Sequence, residues 1–361
     1  MTSQTVYRLV DRNSFRDIKP FEEPIPAINH NEVLVRIRAV ALNYRDLIIA
    51  DGTYPFPSKD RVIPCSDGAG EVVKVGNTVS SVKEGDHVIA NFFLTHLYGF
   101  QADHSQAQGA GADGVLRQYA VFREDAIAIV PKSANLSFPQ MASMVCTGVT
   151  VWNAFYGNVP LKPGQTVLFQ GEYPKDYEFK LLTGTGTGGV SMTGLQIAKA
   201  AGAVTIITSS SDNKLKSAKE KYGADYTINY RTTPNWAAEA NKITNGRGVD
   251  FILDNGGSGT LKQSLEAVAT GGIITIIGFL SPASQADMPD VAMLALAKCC
   301  IIRGVLVGPK QFLNELVTFV AQKQVQLPVD KVFGFSTEEI YSAYEYLKQG
   351  GHIGKVCINV S

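Results

Sequence analysis

Three glycines, Gly186, Gly188 and Gly189, fall between a short apolar run, TVLFQG, and an alanine-rich run, GLQIAKAAGA. The first run predicts a buried strand and the second a helix. A strand that turns into a helix through glycines suits the pyrophosphate of a dinucleotide. Glycine lets the backbone approach the phosphates, and the helix N-terminus offers unpaired N–H groups at the positive end of its dipole. The pattern departs from GxGxxG at its third position, which is Ser191. A flexible loop with no ligand is the other reading. The position of the turn, before the first helix of an alternating series, favours the nucleotide.

A dinucleotide held there brings its adenosine ribose to the end of the second strand, where an acidic residue would select NAD. The chain instead reads TSSSDNKLK. Ser209, Ser210 and Ser211 bring hydroxyls and Lys214 brings charge, which suits a ribose 2′-phosphate; Asp212 weighs the other way. NADP(H) is therefore the expected cofactor and NAD(H) the alternative.

The elements that must position these residues follow two patterns. Up to Phe138 the chain reads as β. EVLVRIRAVALN alternates Val33, Val35 and Ile37 against Leu34, Arg36 and Arg38, as a half-buried strand does. GAGEVVKVG, GDHVIAN and LRQYAVF add short strands, which together suggest a small barrel-like fold. HLYGFQADHSQAQGAGADG reads as a surface loop. After Phe138, FPQMASMVCTGVTVWNAFYG has helical spacing. Strands and helices then alternate: VTIITSS, NKLKSAKEKYGA closed by Gly223, YTINY, VDFILDNGG, a helix over LKQSLEAVATGG, and IITIIGF. Such alternation implies a parallel sheet with helices on both faces. The tail, FSTEEIYSAYEYLKQGGHIGKVCINV, gives a helix and a last strand.

The 361 residues suffice for two domains, and 45% apolar content supplies their cores. Lys+Arg and Asp+Glu are both 33, a balance that excludes the basic excess of nucleic-acid or membrane-surface binders. There is no apolar signal core at the start and no run of about 20 apolar residues, so a cytoplasmic protein is expected. The five cysteines, Cys65, Cys146, Cys299, Cys300 and Cys357, form no CxxC pair and are odd in number. Thiols in a reducing compartment fit them better than a disulfide framework.

In order, ALNYRDLIIADGTYP, IPCSDGAGEVVKVG, GVTVWNAF, GTGGVSMTGLQIAKAAGA, TSSSDNKLKSAKEKYGADYTINY and GGHIGKV resemble the medium-chain dehydrogenase/reductase superfamily over nearly the whole chain. They are most similar to its zinc-independent quinone-oxidoreductase and alcohol-dehydrogenase-like branch. The resemblance implies an α/β protein: a GroES-like β-rich catalytic domain, 1–147 plus 309–361, with an inserted Rossmann domain, a doubly wound parallel sheet, at 148–308. It also implies hydride transfer from NADPH and a homodimer.

The zinc question is answered position by position. Zinc-dependent relatives carry Cys where NYRD has Asn43 and His where CSD has Ser66; only Cys146 keeps a ligand position. One thiolate does not hold a catalytic zinc, which takes three protein ligands, and the cysteines of a structural zinc lobe are missing too. No metal is expected. Asn43 and Tyr44 match pocket positions of the related reductases. An amide N–H or phenol O–H there would bond the substrate oxygen, with Tyr44 or a water supplying the proton. Helix capping and packing is the plainer role for 43–46, and Asp46 is expected to orient its neighbours. Gly188, Gly189 and Val190 match the pyrophosphate turn, and Lys214 and Tyr230 the grip on the adenosine phosphate. Asn255, Gly278 and Lys355 lie in segments that border the cofactor. The histidines take no catalytic role. DGTYPFPS and NFFLTHLYGF suggest an apolar, aromatic lining for a small quinone, enone or aldehyde. The alternatives are a zinc-free alcohol dehydrogenase working oxidatively and a non-enzymatic, crystallin-like nucleotide binder.

One segment interrupts the resemblance. Relatives run QGTGGVS without a break, whereas fifteen residues, 172–186, separate QG from TGGVS here. Loops between a strand and a helix in such units run about 2–6 residues. Three readings stand: an outward loop with Gly184, Thr185 and Gly186 rebuilding the turn, a gate over the cofactor, or a translated intron. The last rests on codon options, since Gly-Glu-Tyr and Thr-Gly admit donor-like and acceptor-like splice sequences and the length keeps the frame. A chain carrying the segment is expected to bind the cofactor less tightly than one without it.

Overall fold

The computed structural model describes residues 2–101, 103–170, 188–281 and 283–360, so the expected insertion at 172–186 lies outside the described residues. Residues 1–149 with 307–361 form one unit and residues 150–306 another. The resemblance put these joints at 147/148 and 308/309. No described helix is long and apolar enough to cross a membrane.

The first unit is built on a seven-stranded sheet. Its order is Val329–Phe333, Lys355–Asn359, Glu32–Ala41, Asp67–Val75, His87–Ala90 and Ile127–Ile129, with Tyr119–Arg123 also pairing to Glu32–Ala41. All pairs are antiparallel except Val329–Phe333 with Lys355–Asn359. In Glu32–Ala41, Val33, Val35 and Ile37 are buried against half-buried Arg36 and Arg38 as expected, but Leu34, expected on the arginine side, is buried too, and Ala39, Val40 and Ala41 are all buried. The register there decides what meets at the strand ends. Ala41 lies opposite Cys357 on one side and Asp67 on the other. In an antiparallel pair the next residues run past each other. Asn43, beyond Ala41, is thereby carried toward Lys355, and Leu42 N–H donates to Val356 C=O at 2.9 Å.

Two local expectations for this unit are corrected. The stretch expected as a surface loop is exposed at Tyr98 and Phe100, but Ala107, Gln108 and Ala110 are buried. Gln108 is pulled inward because its carbonyl accepts from Arg45 Nη1 at 2.9 Å and its side chain donates to Asn91 C=O at 2.8 Å. The long helix expected after Phe138 is broken into Phe138–Ala142, a π turn at Met144–Gly148 and Val149–Tyr156. The Cys146 N–H is turned out of helical bonding toward Asp67 Oδ2, 3.2 Å away. Such π turns cluster at functional sites.

The second unit is a six-stranded parallel sheet. Its order is Tyr226–Asn229, Val204–Ser209, Thr166–Phe169, Val249–Asp254, Val268–Ile276 and Ile301–Gly304. In the unit's own chain order that is 3-2-1-4-5-6, the doubly wound arrangement. Leu168, Ile206, Ile252 and Ile274 are fully buried, and each contributes about 1.5–3 kcal/mol by leaving water. The helix expected over LKQSLEAVATGG stops at Ala267, and Val268 already opens the next strand. The β-branched Val268 starts a sheet ladder with Val249 there, and Gly271 adopts a positive φ of 76° that a helix excludes.

Candidate active site

In the first unit, Asn43 caps the helix Tyr44–Ala50, and its N–H donates to Asp46 Oδ2 at 2.8 Å. The capping role expected for 43–46 is therefore present. The Asn43 side chain is used elsewhere: its Oδ1 accepts from Lys355 Nζ at 2.7 Å. Lys355 Nζ also donates to Leu42 C=O at 2.7 Å and lies 3.6 Å from Asp67 Oδ2. Asp67 is completely buried; its other oxygen accepts from Ser66 Oγ at 2.6 Å. Asn43 Nδ2 and Tyr44 Oη are buried and have no hydrogen-bond partner among the described residues. A buried donor left so costs about 1–3 kcal/mol. Burial pushes the Tyr44 phenol up to about 12, with the Asp51 carboxylate adding to it, so Tyr44 keeps its proton and acts as a donor.

Arg45 and the aromatic residues form a second layer. Its guanidinium stands 4.6 Å from the Phe92 ring centre and 5.2 Å from that of Tyr54. Tyr54 packs on Phe56, Phe56 stacks on His104, and His104 meets Phe93. The two loops expected to supply an aromatic lining are thus linked through Arg45 and His104, which belong to neither loop.

Burial raises Asp46 to about 6, against the Arg45 guanidinium and the Asn43 N–H, which favour its carboxylate. Between roughly pH 4 and pH 6 the folded chain holds a proton that the unfolded chain has released. This group's stabilising contribution is therefore lost as pH rises through that window. Asp46→Asn removes the titration. The melting temperature of the variant minus that of the wild type is expected to rise by about 4 °C or more between about pH 4.5 and about pH 7, on the order of 2 kcal/mol. A difference that stays constant with pH would refute the shift.

In the second unit, the helix Gly189–Ala200 opens at Gly188 with no side-chain cap on its first N–H groups. The fingerprint position expected at Ser191 has a different use: Ser191 Oγ donates to Gln170 C=O at 3.0 Å and accepts from Asn255 Nδ2 at 3.1 Å. The close-packing glycine is Gly194, which the sequence reading missed. A Cβ there would lie 2.4 Å from the Phe169 ring, so only glycine lets this helix settle on its strand. Val190 lies in the same first turn.

The strand order reverses between Thr166–Phe169 and Val249–Asp254, where a ligand crevice belongs. Asn255 stands there, and Gly278 is packed so closely that a Cβ would come 2.5 Å from Asn255 C=O. Asp254, also missed, builds this turn: its carboxylate accepts from Gly256 and Gly257 N–H and from the hydroxyls of Thr260 and Ser264. At the end of the second strand, Ser209 is buried and its Oγ accepts from Ser211 N–H. Ser210 and Lys214 follow on the segment entering the helix Asp212–Glu220, and Tyr230 N–H donates to Ser209 C=O at 3.2 Å. Asp212 is engaged by Asn229 Nδ2 at 2.6 Å. Gly188, Gly189, Val190, Ser209, Ser210, Lys214, Tyr230, Asn255 and Gly278 all lie in this unit. Lys355 does not; it belongs to the first unit, on Asn43.

A zinc ion does not suit the donors found at the resembled ligand positions. Asn43 Oδ1 faces the Lys355 ammonium and Ser66 Oγ donates to Asp67, which leaves Cys146 as the one thiol at these positions. Zinc takes deprotonated thiolate, imidazole or carboxylate. No cluster of three or more His, Cys, Asp or Glu fit to hold a metal occurs among the described residues.

Family models match two stretches: residues 29–132 as an alcohol dehydrogenase GroES-like domain and residues 189–322 as a zinc-binding dehydrogenase. The chain is 41% identical over 356 residues to a zinc-type alcohol dehydrogenase-like protein of Schizosaccharomyces pombe, covering 96% of each. A solved putative alcohol dehydrogenase of Sinorhizobium meliloti shares its structure at a TM-score of 0.86 and 32% identity, over 99% of both chains. A solved NAD-dependent alcohol dehydrogenase matches at 0.83 and 27% identity, over 99% of this chain and 100% of that one.

Proposed function

Because the chain belongs to the medium-chain dehydrogenase/reductase superfamily and is an NAD(P)-dependent oxidoreductase, we propose that it reduces an activated C=C or carbonyl with NADPH and without zinc. Its substrate is a small apolar or aromatic quinone, enone or aldehyde. One observation carries this reading: two buried donors, Asn43 Nδ2 and Tyr44 Oη, have no partner among the described residues. A substrate oxygen that gathers negative charge during hydride transfer would satisfy both. NADPH supplies the hydride when bound. Asn43 and Tyr44 stabilise the developing charge, and Tyr44, which holds its proton at neutral pH, or a water returns the proton. The GroES-like unit thereby does with hydrogen bonds what a Lewis-acidic metal does in a zinc enzyme.

The cofactor preference rests on Ser210 and Lys214 at the second strand's end, with Asp212 occupied by Asn229. The test is oxidation of NADPH and NADH by the purified chain with p-benzoquinone, methyl vinyl ketone and cinnamaldehyde. Turnover with at least one acceptor is expected, with kcat/KM higher for NADPH by about 10-fold or more. Lys214→Ala should erase most of that ratio, since a hydrogen bond to a charged phosphate is worth roughly 1.5–3 kcal/mol. An alcohol oxidised with NADP, but no acceptor reduced, would favour the oxidative reading. No turnover in either direction would favour the non-enzymatic one.

A second copy of the chain is the proposed partner. Among the described residues, Ile301–Gly304 pairs with one strand, Val268–Ile276. Beside it the helix Val291–Lys298 buries no residue and leaves Met293 and Leu296 exposed. An open strand edge next to an apolar helix is a template for pairing. Light scattering is expected to give a dimer, and Leu296→Glu a monomer.

A further inference from the structure

We propose that Lys355 is the positioning residue of this site: its Nζ fixes the Asn43 amide so that Nδ2, and not Oδ1, is presented as the donor to the substrate oxygen. The proposal rests on the reductase reading above and deepens it.

The two ends of an asparagine amide are nearly the same size, so shape does not decide which end faces which way. Hydrogen-bond chemistry does. An ammonium has three donors and no acceptor, so only an oxygen can face it. Three oxygens surround Nζ: Leu42 O and Asn43 Oδ1 at 2.7 Å, and Asp67 Oδ2 at 3.6 Å. Turning the amide over would point two N–H donors at the cation. Nδ2 is thereby committed to the other side, where it is buried and has no partner among the described residues. The bond from a cation to Oδ1 also draws electron density from the amide, which makes its N–H the stronger donor.

The Lys355 end is itself fixed. Lys355 is 2% exposed and Asp67 is not exposed at all. Asp67 is held by Ser66 Oγ and by the Cys146 N–H that the π turn presents to it. The positions matching zinc ligands in relatives, Asn43, Ser66 and Cys146, are thus tied to one Lys–Asp pair. The side-chain cation takes the Asn43 oxygen, and it acts on the substrate through Asn43. This role stands beside the cofactor-bordering role expected from the resemblance: the hydrogen bonds of Lys355 run to Leu42 and Asn43 of the GroES-like unit.

The test uses the full chain with NADPH and the acceptor it reduces best, comparing Lys355→Met, Asn43→Ala and the double variant. Lys355→Met is expected to lower kcat by about 30- to 100-fold at saturating NADPH, with NADPH affinity by fluorescence titration changed less than about threefold. In the Asn43→Ala background it should lower kcat no further, because it acts through the residue already removed. If Lys355→Met does not fold, Asp67→Asn/Lys355→Met, which leaves no lone buried charge, takes its place with the same expectations. A tenfold weaker NADPH affinity with kcat retained, or losses that multiply in the double variant, overturns the proposal. If the wild type reduces no acceptor, the reductase reading fails by itself. The positioning is then judged by the side-chain amide NMR signal of Asn43, assigned from its absence in Asn43→Asp. A shift of that signal in the Lys355 variant supports it, and an unchanged signal overturns it.

Discussion

Asn43→Asp is expected to lower kcat for the reduction by about 10²–10³, roughly 2.7–4 kcal/mol of transition-state stabilisation. The substitution changes almost no volume. An aspartate oxygen still accepts from Lys355 Nζ, now 2.7 Å from Asn43 Oδ1, and the backbone N–H still reaches Asp46. What is lost is the Nδ2 donor, and what appears in its place is an acceptor facing the substrate oxygen. NADPH affinity should change little, because the residues expected to grip the cofactor lie in the other unit. Stopped-flow turnover and an NADPH titration on the same preparation check both halves. A kcat within threefold of wild type would mean that Asn43 only caps its helix.

Asp67→Ala is expected to destabilise the first unit by about 3–5 kcal/mol, because it leaves the Lys355 ammonium buried without its carboxylate. It also strands the Ser66 hydroxyl and the Cys146 N–H. At about 2–4 °C per kcal/mol for a unit of this size, the melting temperature should fall by about 6 °C or more. Calorimetry of Asp67→Ala/Lys355→Met is the control. With both charges gone, the double variant should recover a substantial part of the loss. If it is no more stable than the single variant, the pair is not what Asp67 contributes.

Much of the architecture was legible because it is local. The strand–glycine–helix order around Gly188 and the later alternation of strands and helices are patterns within short windows, and they gave the parallel sheet. Helix Thr337–Gln349 was equally plain, with Ser336 bonding the Glu339 N–H at its start and Gly350 in the left-handed region at its end. What escaped depends on partners distant in the chain. Asn43 meets Lys355 across 312 positions through strand register, and no window contains both. The inward turn of Gln108 depends on Arg45, and the break at Met144–Gly148 on Asp67. Gly194 was a single glycine in a helical run, and its reason for being there is the ring of Phe169 on another element. Asp254 stood at the end of an apolar strand run, VDFILDNGG. Only the folded Gly256–Ser264 segment shows that its carboxylate holds four donors.

The strand Lys355–Asn359 completes a sheet whose other strands in the first 149 residues are made long before it. During translation the ribosome adds another 205 residues (354 − 149) after Val149 before Lys355 exists. At about 5–20 residues per second that is roughly 10–40 s. Throughout that interval, the edge at Ala39–Ala41 lacks its neighbour and Asp67 lacks its cation. The nucleotide-binding unit is contiguous and can finish folding while the nascent catalytic unit waits. The newborn chain thus passes through a stage in which one unit can be complete while the other still has an unpaired strand edge, and such an edge is open to mispairing.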